Sequence, residues 1–184
     1  MHESLAGRLL VATPLLEDPS FARTVVLVCT HTAEGALGVV LNRPLEEPVA
    51  AHLPDWTPRL TGPPVFFGGG PVQPSTVLAL GRDRTGMAAP WWTRVTAEVG
   101  LLDLDWAPAD LSDSLDAVRL FAGHAGWGGG QLDHEIAQEA WFVLDATPDD
   151  PFVADPGDLW RHVLRRQRGM LSMFATYPRD LSAN

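Results

Sequence analysis

The 184-residue chain is 46% hydrophobic and contains seven tryptophans, which excludes an intrinsically disordered protein and provides apolar side chains for a sizeable core. Its formal net charge is −10, and all 13 of its basic residues are arginines. A sequence without lysine excludes Schiff-base chemistry, a lysine-dependent phosphate loop and a serine–lysine catalytic pair. The acidic balance also disfavours general nucleic-acid binding, because that affinity comes largely from neutralised phosphates.

The first apolar segments predict short strands. A strand within residues 7–12 ends before Pro14, and the β-branched run 24–31 is typical of a strand buried on both faces. Residues 39–44 predict a partner for that strand. The proline-rich stretch 44–64 predicts a long excursion with one helical turn near residues 49–52.

The second half of the chain continues this pattern. Asp158 is a suitable N-cap for a last helix, and Gly169 a suitable stop after it. Because strands outnumber helices and do not alternate with them regularly, we expect an α+β fold with a mixed or antiparallel sheet, formed by residues 1–184 as a single domain. The remaining strands are expected within residues 65–71, 75–81, 91–105, 117–123 and 141–146, with a helix starting at Gln131.

Cysteine content and hydropathy indicate the cellular setting. The one cysteine, Cys29, cannot form an internal disulfide, which suits a reducing compartment. The apolar run at residues 9–12 is too short for a secretory signal, and about 18 consecutive apolar residues occur nowhere in the sequence. We therefore expect a cytoplasmic protein without a membrane span.

The stretch FAGHAGWGGGQLDHEIAQE places a glycine-rich segment directly ahead of the predicted helix. Backbone N–H groups at a helix N-terminus attract phosphate, but the spacing of Gly126, Gly128 and Gly130 matches neither a dinucleotide loop nor a lysine-bearing phosphate loop. Asp133 and Glu135 in the first helical turn would repel a phosphate. The pattern favours a structural corner, which becomes a binding site only if a pocket adjoins it.

A metal site is a second interpretation of the same stretch, with His124, Asp133, His134 and Glu135 as candidate ligands. The sequence HEIAQ departs from the zinc motif H-E-x-x-H because Gln138 stands where the second histidine is needed. On a helix, His134 and Gln138 also project away from the apolar side. We therefore expect no metal here.

A reactive cluster is a third possibility. Cys29 and His31 are two residues apart, so on a regular strand they share one face, and a cysteine beside a histidine forms a nucleophilic thiolate. His124 and Glu135 complete a candidate enzyme or sensor site. The competing interpretation is a buried thiol at the end of an apolar run, where burial raises the pKa of the cysteine.

Two further charge patterns have a functional and a structural interpretation. Asp103 and Asp105 lie on one face of a predicted strand, where they form a carboxylate pair or a polar surface. The last helix carries the densest positive charge, which predicts either a nucleic-acid patch or a solvated face opposite a buried one. Its arginines are Arg161, Arg165, Arg166 and Arg168.

Four segments together resemble the AlgH/YqgE family of bacterial proteins: LLVATPLLEDPSFARTVVLVCTHTAEGALGVVLNRPL, GGGPV, LFAGHAGWGGGQLDHEIAQEAWFV and DLWRHVLRR. They occur in the family order and span nearly the whole chain. The resemblance implies a compact one-domain α+β fold built on strongly coiled β-sheets. It implies no catalytic residue and no cofactor, although one branch of the family carries a label as a regulator of alginate-gene transcription.

The sequence favours a non-enzymatic cytoplasmic protein that binds or regulates a protein partner, because no complete catalytic constellation emerges. Direct nucleic-acid binding through the last helix is disfavoured. The alternative is an enzyme or small-molecule sensor built on Cys29, His31, His124 and Glu135. The candidate binding surface combines two glycine segments: Gly68, Gly69, Gly70, Pro71, Gly123, His124, Gly126, Trp127, Gly128, Gly130 and Gln131.

Overall fold

The computed structural model describes residues 3–179, in which ten strands outnumber three short α-helices. This content agrees with the predicted α+β class. The helices are α1 (Gln131–Ala137), α2 (Leu159–Arg165) and α3 (Met170–Phe174). The strands are β1 (Arg8–Ala12), β2 (Val25–Thr32), β3 (Gly35–Val40), β4 (Pro44–Pro48), β5 (Val65–Gly68), β6 (Val72–Asp83), β7 (Trp92–Arg94), β8 (Val99–Leu102), β9 (Leu115–Gly128) and β10 (Trp141–Asp145).

The strands form one curled, mixed sheet in the order β10-β1-β2-β3-β9-β6-β8-β7, and each neighbouring pair on this path is antiparallel. Strand β5 pairs in parallel with β9 and antiparallel with β4, beside the main path. The long strand β9 therefore hydrogen-bonds to β3, β5 and β6. It joins the two halves of the sheet.

Apolar side chains cover both faces of the sheet. On β1, Leu9 belongs to one core and Leu10 to another, as the alternation of side chains along a strand requires. The inner core packs against α2, and an outer core lies beneath α1. A third core covers the outer face of the β6–β8 half, where Val49 and Trp56 of two 3₁₀ segments pack.

One arginine is buried within this framework. Arg119 on β9 is 1% exposed, and its guanidinium lies 4.2 Å from the centre of the Phe67 ring. It donates hydrogen bonds to the carbonyl oxygens of Gly62, Pro151 and Val153 at 2.7–3.1 Å. Burial lowers its pKa to about 10, so the group remains charged at neutral pH and ties two loops to β9.

Glycine allows two backbones to touch where β3, β5 and β9 meet. Gly69 donates from its N–H to the carbonyl of Ala122, and its own carbonyl accepts from Val40 N–H at 2.8 Å. A Cβ at Gly69 would lie 2.2 Å from the carbonyl oxygen of Gly123, which is far inside van der Waals contact. The glycine segment after β5 is therefore a packing requirement of the sheet.

Three predicted elements differ from the observed ones. The excursion over residues 44–64 contains the expected helical turn at Val49–Ala51, but it also contains β4, whose five residues are all exposed and carry no apolar pattern. Strand β8 ends before Asp103, whose carboxylate accepts from Asp105 N–H at 3.0 Å in a turn. The prediction that these two aspartates share a strand face is therefore wrong.

The last predicted helix, from Asp158 to the stop at Gly169, is shorter than expected, and a separate helix follows it. Helix α2 ends at Arg165, and α3 follows Gly169, which has a positive φ of 70°. Asp158 lies at the N-cap position of α2 without a side-chain capping bond; its carboxylate pairs with Arg165 at 3.5 Å. Among residues 3–179, no helix has the length and apolar character required to span a bilayer.

Replacing Gly69 with alanine should lower the free energy of unfolding by about 2 kcal/mol, because the added methyl overpacks the contact with β9. Gly126→Ala on β9 is the matched control, since a Cβ there would lie 3.6 Å from Val72 Cγ2, an ordinary contact. Denaturant unfolding of both variants measures the difference. Equal free energies of unfolding for the two variants would mean that the structure accommodates a methyl group at Gly69 without losing stability.

Candidate functional site

The glycine-rich segment is mostly strand. Strand β9 continues to Gly128, the chain turns at Gly129 and Gly130, and α1 begins at Gln131 as predicted. The prediction of a corner over residues 123–131 is therefore wrong as far as Gly128, because antiparallel pairing with β3 overrides the local preference of glycine for turns. Gly130 has a φ of 74°, which shows why the corner itself needs glycine.

The two glycine segments lie side by side, since Gly68 of β5 pairs with Ala122 of β9 and Val72 pairs with His124. Much of this surface is inside the protein, because Gly69, Gly123 and Trp127 are buried, and Gly68, Gly70 and His124 are partly buried. The part of this candidate binding surface that is accessible to a partner is smaller than the sequence indicates. Its exposed residues are Pro71, Gly126, Gly128, Gly130 and Gln131.

Glu135 and Gln131 have structural contacts. The Oε2 atom of Glu135 accepts hydrogen bonds from the indole nitrogens of Trp127 and Trp141, each at 2.9 Å. The two indoles pack edge to face with ring centres 6.1 Å apart, and Phe21 contacts both. Gln131 donates to Glu135 Oε1 at 3.0 Å and accepts from Gly128 N–H at 3.0 Å. The carboxylate thus holds α1 against β9 and β10.

Cys29 and His31 lie on opposite faces of β2. A bulge at Cys29 shifts the register between Val28 and Thr30, so the expected shared face is lost. Cys29 is buried in the inner core, whereas His31 pairs with Ala36 of the outer core. Burial raises the pKa of the Cys29 thiol to about 12, so it is protonated at neutral pH.

The proposed reactive cluster does not assemble. His31 accepts a hydrogen bond from Leu5 N–H at 3.0 Å and lines a cavity of about 220 Å³ with Gly130. Glu135 is engaged by the two indoles on the outer face, away from Cys29. Within residues 3–179, no three histidine, cysteine, aspartate or glutamate residues gather with the geometry of a metal site.

The arginines of the last helix are dispersed. Arg166 forms a two-pronged ion pair with buried Asp150, at 2.5 and 2.7 Å, and Arg165 pairs with Asp158. Arg168 is exposed, and Arg161 turns toward a different surface. The predicted nucleic-acid patch is therefore not one continuous face, because two of its guanidiniums are neutralised by acids.

The sequence did not indicate an apolar depression on the surface, which we term the apolar cleft. It encloses about 410 Å³ between the segment after β1, the end of α1, β10 and α3. Its apolar character comes mainly from aromatic and aliphatic side chains, and the exposed Glu139 stands at its rim. The lining residues are Thr13, Pro14, Leu15, Ile136, Glu139, Trp141, Phe142, Phe174 and Tyr177.

A second depression, which we term the arginine pocket, encloses about 320 Å³ beside α2. It is lined by Arg23, Asn42, Gly157, Trp160, Arg161 and Arg179. A third depression shares Arg23 and Arg179 with the arginine pocket and Thr13, Pro14 and Tyr177 with the apolar cleft, and Glu17 also lines it. The three arginines come from distant parts of the chain, so no local motif indicates them.

The curled sheet with helices on both faces defines a fold class, and the comparisons with known proteins identify its family. Residues 9–172 match a family model described as AlgH-like. The chain belongs to this AlgH-like family, which confirms the resemblance seen in its sequence segments.

Relatives extend over nearly the full chain. A UPF0301 protein of Streptomyces coelicolor is 49% identical over 185 residues, covering 98% of this chain and 96% of the relative. The crystal structure of a Corynebacterium diphtheriae protein superposes with a TM-score of 0.88 at 34% identity, over 96% of this chain and 94% of that one. The solution structure of the Pseudomonas aeruginosa AlgH protein gives a TM-score of 0.71 at 26% identity, over 98% and 100%.

Cys29 should resist thiol reagents in the native protein, because a pKa of about 12 leaves roughly one thiol in ten thousand ionised at pH 8. Labelling with a chromogenic disulfide reagent, with and without denaturant, measures this. Each denatured chain should quickly release one equivalent of the reagent's chromophore, because its one cysteine is then accessible. Native labelling at the same rate would contradict burial of the sulfur.

Glu135→Gln should destabilise the protein by about 1–2 kcal/mol, because a neutral amide is a weaker acceptor for the two indole N–H groups. Glu139→Gln, four residues further along and exposed, is the matched control. Denaturant unfolding gives the energies, and the indole resonances of Trp127 and Trp141 report the bonds. Unchanged indole resonances in Glu135→Gln would show that the carboxylate does not hold the rings.

Proposed function

We propose that this protein works in the cytoplasm as a non-enzymatic binding protein, which recognises a segment of a partner protein in the apolar cleft. The observation that carries the proposal is the apolar lining of the cleft, which includes the exposed Leu15, together with two exposed methionines on α3, the helix that contributes Phe174 to that lining. Leu15, Met170 and Met173 are 72%, 76% and 69% exposed. Single exposed apolar side chains are ordinary, whereas a group around a concave surface is typical of an interaction site.

Helix α3 contributes to one wall of the cleft. Phe174 at its end and Tyr177 after it line the cleft, and Met170 and Met173 are exposed on the same helix. Phe174 is already anchored against Phe142, with ring centres 5.2 Å apart. An exposed leucine beside a fixed aromatic floor suits an apolar side chain of a partner.

Charge narrows the chemistry of the partner. Glu139 stands exposed at the rim and forms no ion pair with any residue in 3–179, and the whole chain carries a formal charge of −10. The complementary occupant is a short protein segment with an apolar anchor followed or preceded by lysine or arginine. Binding of such a segment would give the protein a regulatory role through occupancy alone.

The alternative functions have less support. An enzyme or sensor built on the thiol would need Cys29 beside His31, but the bulge in β2 separates them. Direct DNA binding through the last helix would need a continuous basic face, but Arg165 and Arg166 are paired with acids.

Selection of random peptides displayed on phage against the purified protein tests the proposal. We expect enriched peptides to combine an aromatic or aliphatic residue with lysine or arginine, and Leu15→Glu in the cleft lining to weaken their binding at least tenfold. Leu45→Glu is the matched control, because Leu45 is 41% exposed but lies on β4 outside the cleft. Fluorescence polarisation of labelled peptides measures the affinities.

Two results would overturn this function. Peptides that bind wild type and Leu15→Glu equally would place the interaction elsewhere. A concentration-dependent dimer in analytical ultracentrifugation that Leu15→Glu abolishes would make a second copy of this chain the occupant.

A further inference from the structure

The arginine pocket concentrates positive charge on an acidic protein. Its three guanidiniums come from Arg23 before β2, Arg161 in α2 and Arg179 after α3. None of the three forms an ion pair with a carboxylate in the part of the chain that spans residues 3–179. We propose that this pocket binds the phosphate group of a small molecule.

Arg161 has unsatisfied hydrogen-bond donors, which is the strongest observation for an anion in the pocket. Its Nε atom is buried and has no hydrogen-bond partner in the structure, although a buried N–H donor without an acceptor is costly. Its neighbours on the helix behave differently, because Arg165 and Arg166 pair with Asp158 and Asp150. Within residues 3–179 the Arg161 guanidinium makes no hydrogen bond or ion pair, so the side chain that lines the pocket retains N–H donors for an oxyanion.

Arg23 is held in place from behind. Its guanidinium lies 4.5 Å from the centre of the Trp160 ring and donates to the backbone carbonyls of Tyr177 and Pro178. Burial, and then the charges of Arg161 and Arg179, lower the pKa of Arg23. These cations repel one another, and an anion between them would remove that repulsion.

Among residues 3–179, the rest of the pocket lining contains no negatively charged side chain. Arg179 donates from Nη2 to the carbonyl of Gly157 at 3.2 Å. Asn42 is already engaged, because its Oδ1 accepts from Val25 N–H and its Nδ2 donates to the carbonyl of Arg23. The wall is therefore a fixed frame around the guanidiniums.

A second arginine cluster of this protein differs from the pocket because carboxylates neutralise it. Arg82 and Arg84 lie together on β6 and the turn after it, and three carboxylates neutralise them at 2.6–3.2 Å. Those carboxylates belong to Asp116, Asp149 and Glu98. In a chain with 23 acidic residues, a three-arginine pocket whose lining within residues 3–179 includes no carboxylate stands apart from this pattern.

Phosphate suits this arrangement better than a single carboxylate. A phosphate monoester carries about two negative charges at neutral pH and three oxygens, whereas guanidiniums form two-pronged bonds to such oxygens. The volume of about 320 Å³ admits a phosphate with a small organic group and excludes a polymer from the interior. The overall charge of −10 disfavours a long polyanion outside it.

Isothermal titration calorimetry at low ionic strength tests the site, with inorganic phosphate, pyrophosphate and ribose 5-phosphate as probes in separate titrations. We expect saturable binding with one site per chain. Tighter binding of ribose 5-phosphate than of phosphate would identify a phosphorylated metabolite as the source, and the reverse order would identify the free ion. Either order supports the site.

The variants make the test specific. Arg161→Gln should weaken binding about tenfold or more, and Arg161→Lys should restore part of it, because lysine keeps the charge without the two-pronged geometry. Arg168→Gln removes the same charge from an exposed position outside the pocket and should leave the affinity unchanged. The Nε–H resonance of Arg161 should shift on titration in wild type.

Three outcomes would overturn the proposal. One is the lack of saturable binding at about 10 mM of every probe. Another is an affinity that Arg161→Gln leaves unchanged. An equal loss of affinity in Arg161→Gln and Arg168→Gln would count in the same way, because it would indicate only general charge screening. The third is tighter binding of a single-stranded DNA oligonucleotide that both variants weaken alike, which would assign the charge to nucleic acid.

Discussion

Backbone contact at the centre of the sheet is the constraint on which the remaining structure depends. Strand β9 pairs with strands on both of its edges, and the segment after β5 touches it with no room for a side chain at Gly69 or Gly70. This close approach brings the two halves of the sheet together. Buried Arg119 then ties the loops on one side of β9 to the same strand.

The curl of the sheet decides which elements become neighbours. It places α2 against the inner core and α1 against the outer one, and α3 closes over the edge near β10. The apolar cleft and the arginine pocket both lie beside this C-terminal part of the fold. The two glycine segments contribute to the framework, whereas the apolar cleft and the arginine pocket are assembled from residues without a local motif.

Local patterns predicted the elements whose residues obey them. The β-branched run over residues 24–31 is a buried strand, and α1 begins at Gln131 because acids and a glycine turn mark its start. Features that depend on pairing between strands were not predicted from the sequence. The bulge at Cys29 turns His31 to the other face, and strand pairing extends β9 through glycines that favour turns in isolation. The pocket arginines meet only through tertiary structure, which a linear pattern does not encode.

Arg23 connects the two depressions. Its guanidinium forms part of the pocket, and it also holds the carbonyls of Tyr177 and Pro178, directly behind the aromatic wall that α3 supplies to the cleft. A ligand that draws this guanidinium toward the pocket would loosen its hold on that wall. Thermodynamic linkage makes such an effect reciprocal. A ligand in the pocket would change the binding affinity of the cleft, and a ligand in the cleft would change that of the pocket by the same coupling free energy.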